Sequence, residues 1–281
     1  MKKILIALDI DGTITDELGQ IPLGVIDYLK KQSDLGAIIA FITGRFFPFA
    51  YVHLKDLPFN YFLATQNGAQ LFEMPTKKNI YNYYLSKDVL MEIDHIAQDY
   101  QEDFIIYTDE KLDYQTFYRT GRFSKAVLDH ILKLESMAFH PFTKLNCLTE
   151  LPVRAFPCIK NFGTYEQVKP LNEAIALKLP VEQSLIQDPT SEMYCMNLIT
   201  HSQASKGGAV KNILRFLNSD LKVIGAGNDR NDISLLKASD IAICIGHKAP
   251  NELKEVSSMI AETSGLGLID YIEKAKQVLG L

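Results

Sequence analysis

Basic residues are not in excess: 29 Lys and Arg stand against 34 Asp and Glu, a net charge of −5, so the electrostatic footprint of a nucleic-acid binder is missing. No apolar run approaches the length of a membrane span. Cysteine is sparse. Cys147, Cys158, Cys195 and Cys244 are scattered with no Cys-x-x-Cys pair, which speaks for reduced thiols rather than a disulfide framework. Met-Lys-Lys leads straight into an apolar run too short for a secretory signal, with no small-residue cleavage site behind it. These absences together predict a cytoplasmic protein that binds neither nucleic acid nor membrane. At 281 residues the chain exceeds a typical single domain, so one large core or two domains are expected.

What is present is concentrated first in Ile4 to Thr15. A continuous apolar run, Ile4 to Leu8, reads as a buried parallel strand and stops at two carboxylates, Asp9 and Asp11, before Gly12-Thr13 turn the chain. Ligands of open α/β sheets bind at the carboxyl ends of the strands. Residues two apart on a strand share a face, and two carboxylates on one face repel unless a cation or a shared proton relieves them. Mg²⁺ suits such a hard, oxygen-rich site. Taken alone, Asp-Ile-Asp-Gly is equally a polar turn.

Three further elements follow in order. Pro22 opens a helix with Val25, Ile26 and Leu29 on one face and Gly36 at its end, and Ala37 to Ile42 is a second apolar strand, completing a βαβ unit. Its end, Thr43-Gly44-Arg45, offers a hydroxyl and turn N–H groups to a phosphate oxygen, or simply a helix cap. Tyr61 to Thr65 reads as a third strand and Asn67-Gly68 as a hairpin signal, with Ala69 to Phe72 and Ile80 to Leu85 as flanking strands. From about Leu85 to Glu192 helix and strand patterns alternate without any acidic or glycine-rich strand end, and Pro180 and Pro189 mark loops. This stretch reads as an inserted α+β domain. The core is expected to resume at Tyr194 to Ile199. Ser205-Lys206-Gly207-Gly208 then opens an amphipathic helix, and a lysine there opposes the helix dipole unless an anion faces it. Leu221 to Ile224 is the next strand, ending in Asn228-Asp229-Arg230-Asn231-Asp232, whose side chains could complete a cation site or only cap a helix. Ile241 to Ile245 is a last strand and Leu268 to Leu279 a closing helix.

These elements together resemble the haloacid dehalogenase superfamily, specifically its Cof-like (type IIB, C2-capped) phosphatases. Asp9-Ile-Asp11-Gly-Thr matches the first motif, Thr43-Gly44-Arg the second, Ser205-Lys206-Gly the third and Asn228 to Asp232 the fourth; Asn67-Gly68-Ala69, Lys248 to Lys254 and Gly265-Leu-Gly267 extend the likeness. The resemblance implies an α/β fold: a Rossmann-like core of parallel sheet flanked by helices, over 1–84 and 193–281, with a C2-type cap over 85–192 that selects substrate. It implies Asp9 as nucleophile, Asp11 as general acid and base, Thr43 and Lys206 on the phosphoryl group, and Mg²⁺ on Asp9, the Asp11 main-chain carbonyl and a fourth-motif side chain. The family usually has Asp where this chain has Asn228, so the fourth-motif ligand stays divided between Asn228 and Asp229. Asp232 then orients Lys206 or a metal-bound water, with Asn231 and Asn67 in support. Tyr114, Tyr118, Arg119 and Arg122 of the inserted domain are candidate substrate contacts, or ordinary surface. The expected activity is Mg²⁺-dependent hydrolysis of a small phosphorylated metabolite such as a sugar phosphate. A phosphomutase of similar fold, or a catalytically weak regulatory or binding relative, is the alternative. Monomer or homodimer is left open.

Overall fold

Continuous apolar runs become central strands, because a strand covered on both faces has no solvent side on which to place polar residues. The computed structural model describes residues 4–109, 113–188 and 190–281; Met1 to Lys3 and Pro189, where the sequence suggests a loop, lie outside them. The chain divides into two units, one comprising 1–45, 50–81 and 205–281, the other 46–49 and 82–204.

The first unit begins with β1 (Ile4–Leu8), α1 (Leu23–Asp34), β2 (Ile38–Ile42), α2 (Phe47–Leu54, shared with the other unit at its start), β3 (Tyr61–Thr65), β4 (Gln70–Met74) and β5 (Lys78–Asn82). Every residue of β1 and β3 is buried. Pro22 stands just outside α1, in extended conformation, rather than as its first helical residue, and Gly36 at φ 93° lets the chain leave the helix. The Asn67-Gly68 signal does give a tight reversal between antiparallel β3 and β4, but through a compact three-residue turn of left-handed backbone, Gln66–Gly68, rather than a two-residue hairpin loop. Gln66, Asn67 and Gly68 all have positive φ, at 49°, 55° and 93°.

The second unit contains β6 (Leu85–Ser86), α3 (Lys87–Ala97), β7 (Phe104–Thr108), β8 (Gln115–Arg119), α4 (Lys125–Met137), β9 (Phe142–Leu145), β10 (Ala155–Phe156), β11 (Cys158–Gly163), α5 (Tyr165–Lys178), β12 (Val181–Gln187) and β13 (Cys195–His201). Its main sheet runs β12-β13-β11-β7-β8-β9, antiparallel except between β8 and β9. Leu90, Ile93, Leu171 and Ile175 from α3 and α5 cover one face together with Ile106 and Ile159; Val127 and Ile131 of α4 pack with Ile105, Tyr118 and Phe162 in a separate cluster. Here the structure corrects the reading of the sequence. Tyr194 to Ile199 does not resume the core: β13 pairs antiparallel with both β11 and β12, so the boundary falls at 204/205 rather than 192/193. An apolar run has the same pattern in a central antiparallel strand as in a parallel one, so pattern alone could not decide it.

The first unit then continues with α6 (Lys206–Phe216), β14 (Lys222–Gly227), α7 (Ile233–Lys237), β15 (Ile241–Ile245), α8 (Asn251–Glu255), β16 (Met259–Ala261) and α9 (Leu266–Val278). Its sheet order is β16-β15-β14-β1-β2-β3-β4-β5, with β16 through β3 all parallel. The order reverses direction at β1, which lies between β14 and β2, and this is where a doubly wound sheet opens its crevice. Because these strands are parallel, Asp9, Thr43 and Asn228 leave β1, β2 and β14 at the same edge.

Candidate active site

Asp9 continues β1 by one residue: its N–H donates to the carbonyl of Ala226 on β14 at 3.0 Å, which keeps the side chain at a fixed height above the sheet. The loop behind it is pulled tight, since the N–H groups of Thr13, Ile14 and Thr15 all reach the Ile10 carbonyl, at 3.2, 3.1 and 3.3 Å. Gly12, at φ 69°, cannot be replaced without cost, because a Cβ there would stand 2.5 Å from the Asn228 side chain.

Lys206 is the first residue of α6, whose end is capped by Ser205 accepting from the Gly208 N–H at 3.0 Å. Its ammonium is 1% exposed and donates to Asp9 Oδ1 at 2.5 Å and to Asp232 Oδ1 at 2.6 Å. The anion that a lysine at this helix end calls for is therefore a pair of carboxylates. The other oxygen of Asp232 accepts from the N–H groups of Asn228 and Asp229, at 2.9 and 3.0 Å, so Asp232 ties the fourth motif to Lys206. Gly227 admits this closure: a Cβ on it would lie 2.4 Å from Asp232.

The electrostatics follow from burial. Burial pushes the Asp9 carboxyl up from 3.8 to about 7; Lys206 opposes that rise, and the neighbouring Asp232 and Asp11 add to it. Burial also acts against the Lys206 ammonium, but Asp232 and Asp9 outweigh it and hold the group above its ordinary range. Asp229 is likewise raised by burial.

One cluster tests whether a cation fits. The amide end of Asn228 lies 2.9 Å from the main-chain oxygen of Asp11 and 3.2 Å from both Asp9 Oδ2 and Thr13 Oγ1. With its nitrogen turned inward it donates to them. With its oxygen inward, an amide, a carboxylate and a carbonyl converge, and that donor set is the kind a hard cation takes. The residues present therefore fit Mg²⁺, through oxygen donors of which only Asp9 supplies a side-chain carboxylate. The Asp229 carboxylate instead caps its own turn, accepting from the Arg230 N–H at 2.7 Å.

Thr43 is fully buried; its hydroxyl oxygen accepts from the Arg45 N–H at 3.0 Å, and Gly44 between them is half-buried. Its carbonyl accepts from the N–H of Asn67 at 2.8 Å, and the Asn67 side-chain oxygen accepts from Asn231 at 3.2 Å. The predicted supporting residues thus connect the second motif to the fourth. Asp11 is held by a residue that carried no predicted role. Arg45 grips its carboxylate with a two-pronged fork, Nε to Oδ2 at 2.8 Å and Nη2 to Oδ1 at 2.5 Å, while Nη1 meets His53 Nδ1 at 3.1 Å. Its signal in the sequence was position alone: a charged residue directly after a strand-end Thr-Gly.

Residues 6–267 match the haloacid dehalogenase-like hydrolase family. The chain belongs to this family. A phosphoglycolate phosphatase of Methanobrevibacter smithii is 22% identical over 272 residues, covering 96% of this chain and 97% of its own. Among solved structures, a haloacid dehalogenase-like hydrolase from B. subtilis superposes with a TM-score of 0.76 at 18% identity, covering 97% of this chain and 99% of that one. A subclass IIB sugar phosphatase of the superfamily does so at 0.73 and 21%, covering 99% of each. At such identities the structures speak for the fold.

In the second unit of this hydrolase, the four candidate contact residues have separate fates. Tyr118 is core, fully buried, with its hydroxyl on Glu135 at 3.3 Å. Arg119 is held by Asp94 at 2.6 Å and Asp103 at 2.7 Å, and Arg122 by Asp94 at 3.0 Å, so both guanidinium groups sit in an internal ion-pair network. Tyr114 stacks on Phe47 at 5.2 Å, and its hydroxyl is buried without a hydrogen-bond partner.

Proposed function

We propose that this hydrolase is an Mg²⁺-dependent phosphatase of the cytoplasm, hydrolysing a small phosphorylated metabolite, a sugar phosphate foremost, through an aspartyl-phosphate on Asp9. The observation that carries the reading is the buried chain Asp9–Lys206–Asp232: a carboxylate at a strand end, steered by an ammonium that a second carboxylate holds in place. A nucleophile must be aimed, and both ends of this arrangement are fixed by burial and hydrogen bonds.

In the first step a carboxylate oxygen of Asp9 attacks phosphorus, the ester P–O bond breaks, and Asp11 delivers a proton to the departing oxygen. In the second, Asp11 takes a proton from water, whose oxygen attacks phosphorus; inorganic phosphate leaves and the Asp9 carboxylate is restored. Thr43 suits the phosphoryl oxygens because its oxygen is already used as acceptor for Arg45, which leaves its proton to donate. Lys206 directs two of its three N–H groups at carboxylates, and the third remains for the phosphoryl group. Asp9, the Asp11 carbonyl and Asn228 are the residues that would hold Mg²⁺, with Asp229 the second choice for the last position. When bound, the cation offsets the mutual repulsion of carboxylate and phosphate dianion. The name of the Methanobrevibacter relative puts phosphoglycolate on the panel of esters to be tried.

The experiment is phosphate release from para-nitrophenyl phosphate, sugar phosphates and phosphoglycolate, with Mg²⁺ and with EDTA, for the wild type and Asp9→Asn. Metal-dependent release that Asp9→Asn abolishes is expected. No release from any ester by protein that binds Mg²⁺ refutes the phosphatase reading and favours a mutase or a regulatory relative.

A further inference from the structure

Asn228 follows β14 and carries its side chain to the turn that holds Asp9 and Asp11. The three atoms around the inward end of its amide are the Asp11 main-chain oxygen, Asp9 Oδ2 and Thr13 Oγ1. The first two can only accept. Thr13 is adaptable: its hydroxyl donates either to Asp9 Oδ2 at 3.3 Å or to the Asn228 amide oxygen at 3.2 Å. With no cation between these groups, the amide nitrogen is the end that suits them, donating to the Asp11 and Asp9 oxygens while the Thr13 proton goes to Asp9. With a cation, the amide turns about its last bond and presents oxygen, and the Thr13 proton follows it. That torsion is broad and nearly two-fold for asparagine, so neither position is strained. A carboxylate at this place has no such choice, since both its ends are acceptors. One of its oxygens would face Asp9 Oδ2 across about the 3.2 Å that the amide now spans.

The other carboxylates of the site are engaged elsewhere. That of Asp11 lies in the Arg45 fork, that of Asp232 joins Lys206 to the N–H groups of Asn228 and Asp229, and that of Asp229 caps Arg230. Asp9 itself shares its charge with Lys206 through Oδ1. A cation on Asp9, the Asp11 carbonyl and Asn228 therefore meets one negative charge, which an ammonium partly offsets. Affinity for hard cations follows the charge their ligands carry, and Mg²⁺ in particular is commonly held by one or two carboxylates together with phosphate oxygens of the substrate. Gly12, Asn228 and Asp229 also line an open cavity with Glu17, Lys248 and Glu262, through which a hydrated cation has access to this cluster.

Resting on the phosphatase reading above, we infer that Asn228 is a two-position ligand, and that it makes Mg²⁺ and the phosphoryl group bind as a coupled pair. Alone, the cation must displace the hydrogen bonds of the inward nitrogen and gains a single carboxylate in return. A phosphate dianion brings the charge that the asparagine withholds. The coupling is reciprocal, so the cation strengthens phosphate binding by the same factor. Between turnovers the amide nitrogen keeps the Asp9 and Asp11 oxygens satisfied, and Mg²⁺ is free to leave with the product.

Calorimetric titration of the wild type with Mg²⁺, alone and with saturating inorganic phosphate, reads the coupling once the complex of the two in solution is subtracted. Phosphate should tighten Mg²⁺ binding by roughly ten- to a hundredfold, and Mg²⁺ should tighten phosphate binding equally. Asn228→Asp should bind Mg²⁺ alone more tightly, again by roughly ten- to a hundredfold, and depend less on phosphate. In EDTA its thermal midpoint should fall below that of the wild type, because two carboxylates then face each other, and Mg²⁺ should raise it by more. A wild-type Mg²⁺ affinity that phosphate does not change overturns the inference, and needs no variant to fold. So does an Asn228→Asp protein that matches the wild type both in Mg²⁺ affinity and in its midpoint in EDTA. Either result leaves metal-dependent phosphate release standing; absence of that release from every ester defeats the phosphatase reading itself, a distinguishable failure.

Discussion

Replacing His140 by glutamine should remove a specific acid sensitivity from the second unit. His140 lies among Phe46, Phe49, Tyr107 and Phe142, and its Nε2 meets the Thr116 hydroxyl at 2.7 Å. Burial, with a smaller contribution from nearby Lys160, lowers its pKa from 6.5 to about 4. Between those values the unfolded chain binds a proton that the folded one refuses, so stability rises with pH across that window and falls on acidification. The contribution is complete above the unfolded value and is lost as pH drops toward the folded one. At about 1.4 kcal/mol per pH unit, the difference amounts to about 3 kcal/mol by pH 4. Glutamine can still engage Thr116 but does not titrate. The sequence has no tryptophan, so urea unfolding is best followed by circular dichroism, on both proteins, at intervals from pH 7.5 to 4. The quantity to read is the difference between them. Asp9, whose folded pKa is raised, gains stability on acidification below about 7, but it is common to both proteins and cancels. Asp188, lowered chiefly by its bond to His130 against the effect of burial, releases its contribution only as pH falls below the ordinary carboxylate value of 3.8, beneath the window. A difference that stays flat from pH 7.5 to 4 refutes the reasoning.

Arg45→Lys should cut kcat on alkyl phosphates by about ten- to a hundredfold while moving KM little, because a lysine cannot reproduce the two-pronged hold on Asp11; steady-state kinetics with unchanged kcat would count against a positioning role. Gly207→Ala should destabilise the protein by roughly 1–3 kcal/mol and lower turnover, since its Cβ would stand 2.2 Å from the Ser234 carbonyl and push α6, with Lys206 at its start, off α7. An unaltered melting midpoint would show that the helices can part without cost.

The strand ends were legible because a continuous apolar run that stops at Asp9, at Thr43 or at Asn228 announces both burial and the place where burial ends. Lys206 was legible as a charge on the wrong end of a helix, and the family resemblance implied Asp232 beside it, but its bond to Asp9 was not legible: Asp9 is 197 residues away in sequence, and only the sheet order brings them together. Arg45 was passed over because an arginine after a turn looks like any solvated side chain until Asp11 is seen in its fork. The misplaced boundary at β13 and the internal ion pairs of Arg119 and Arg122 share that origin, since neither strand partner nor salt-bridge partner is written locally.

β1 lies between β2, completed by residue 42, and β14, which starts at residue 222. During synthesis the most buried strand of the first unit therefore keeps one edge bare until the ribosome has made most of the chain, while the second unit, nearly all of it a single stretch from 82 to 204, can close its own sheet earlier. A bare apolar edge is a template for wrong pairing. The vulnerable period of this protein's life is thus its birth, and a chain released before β14 has emerged should be a substrate for chaperones or for aggregation rather than a smaller, working enzyme.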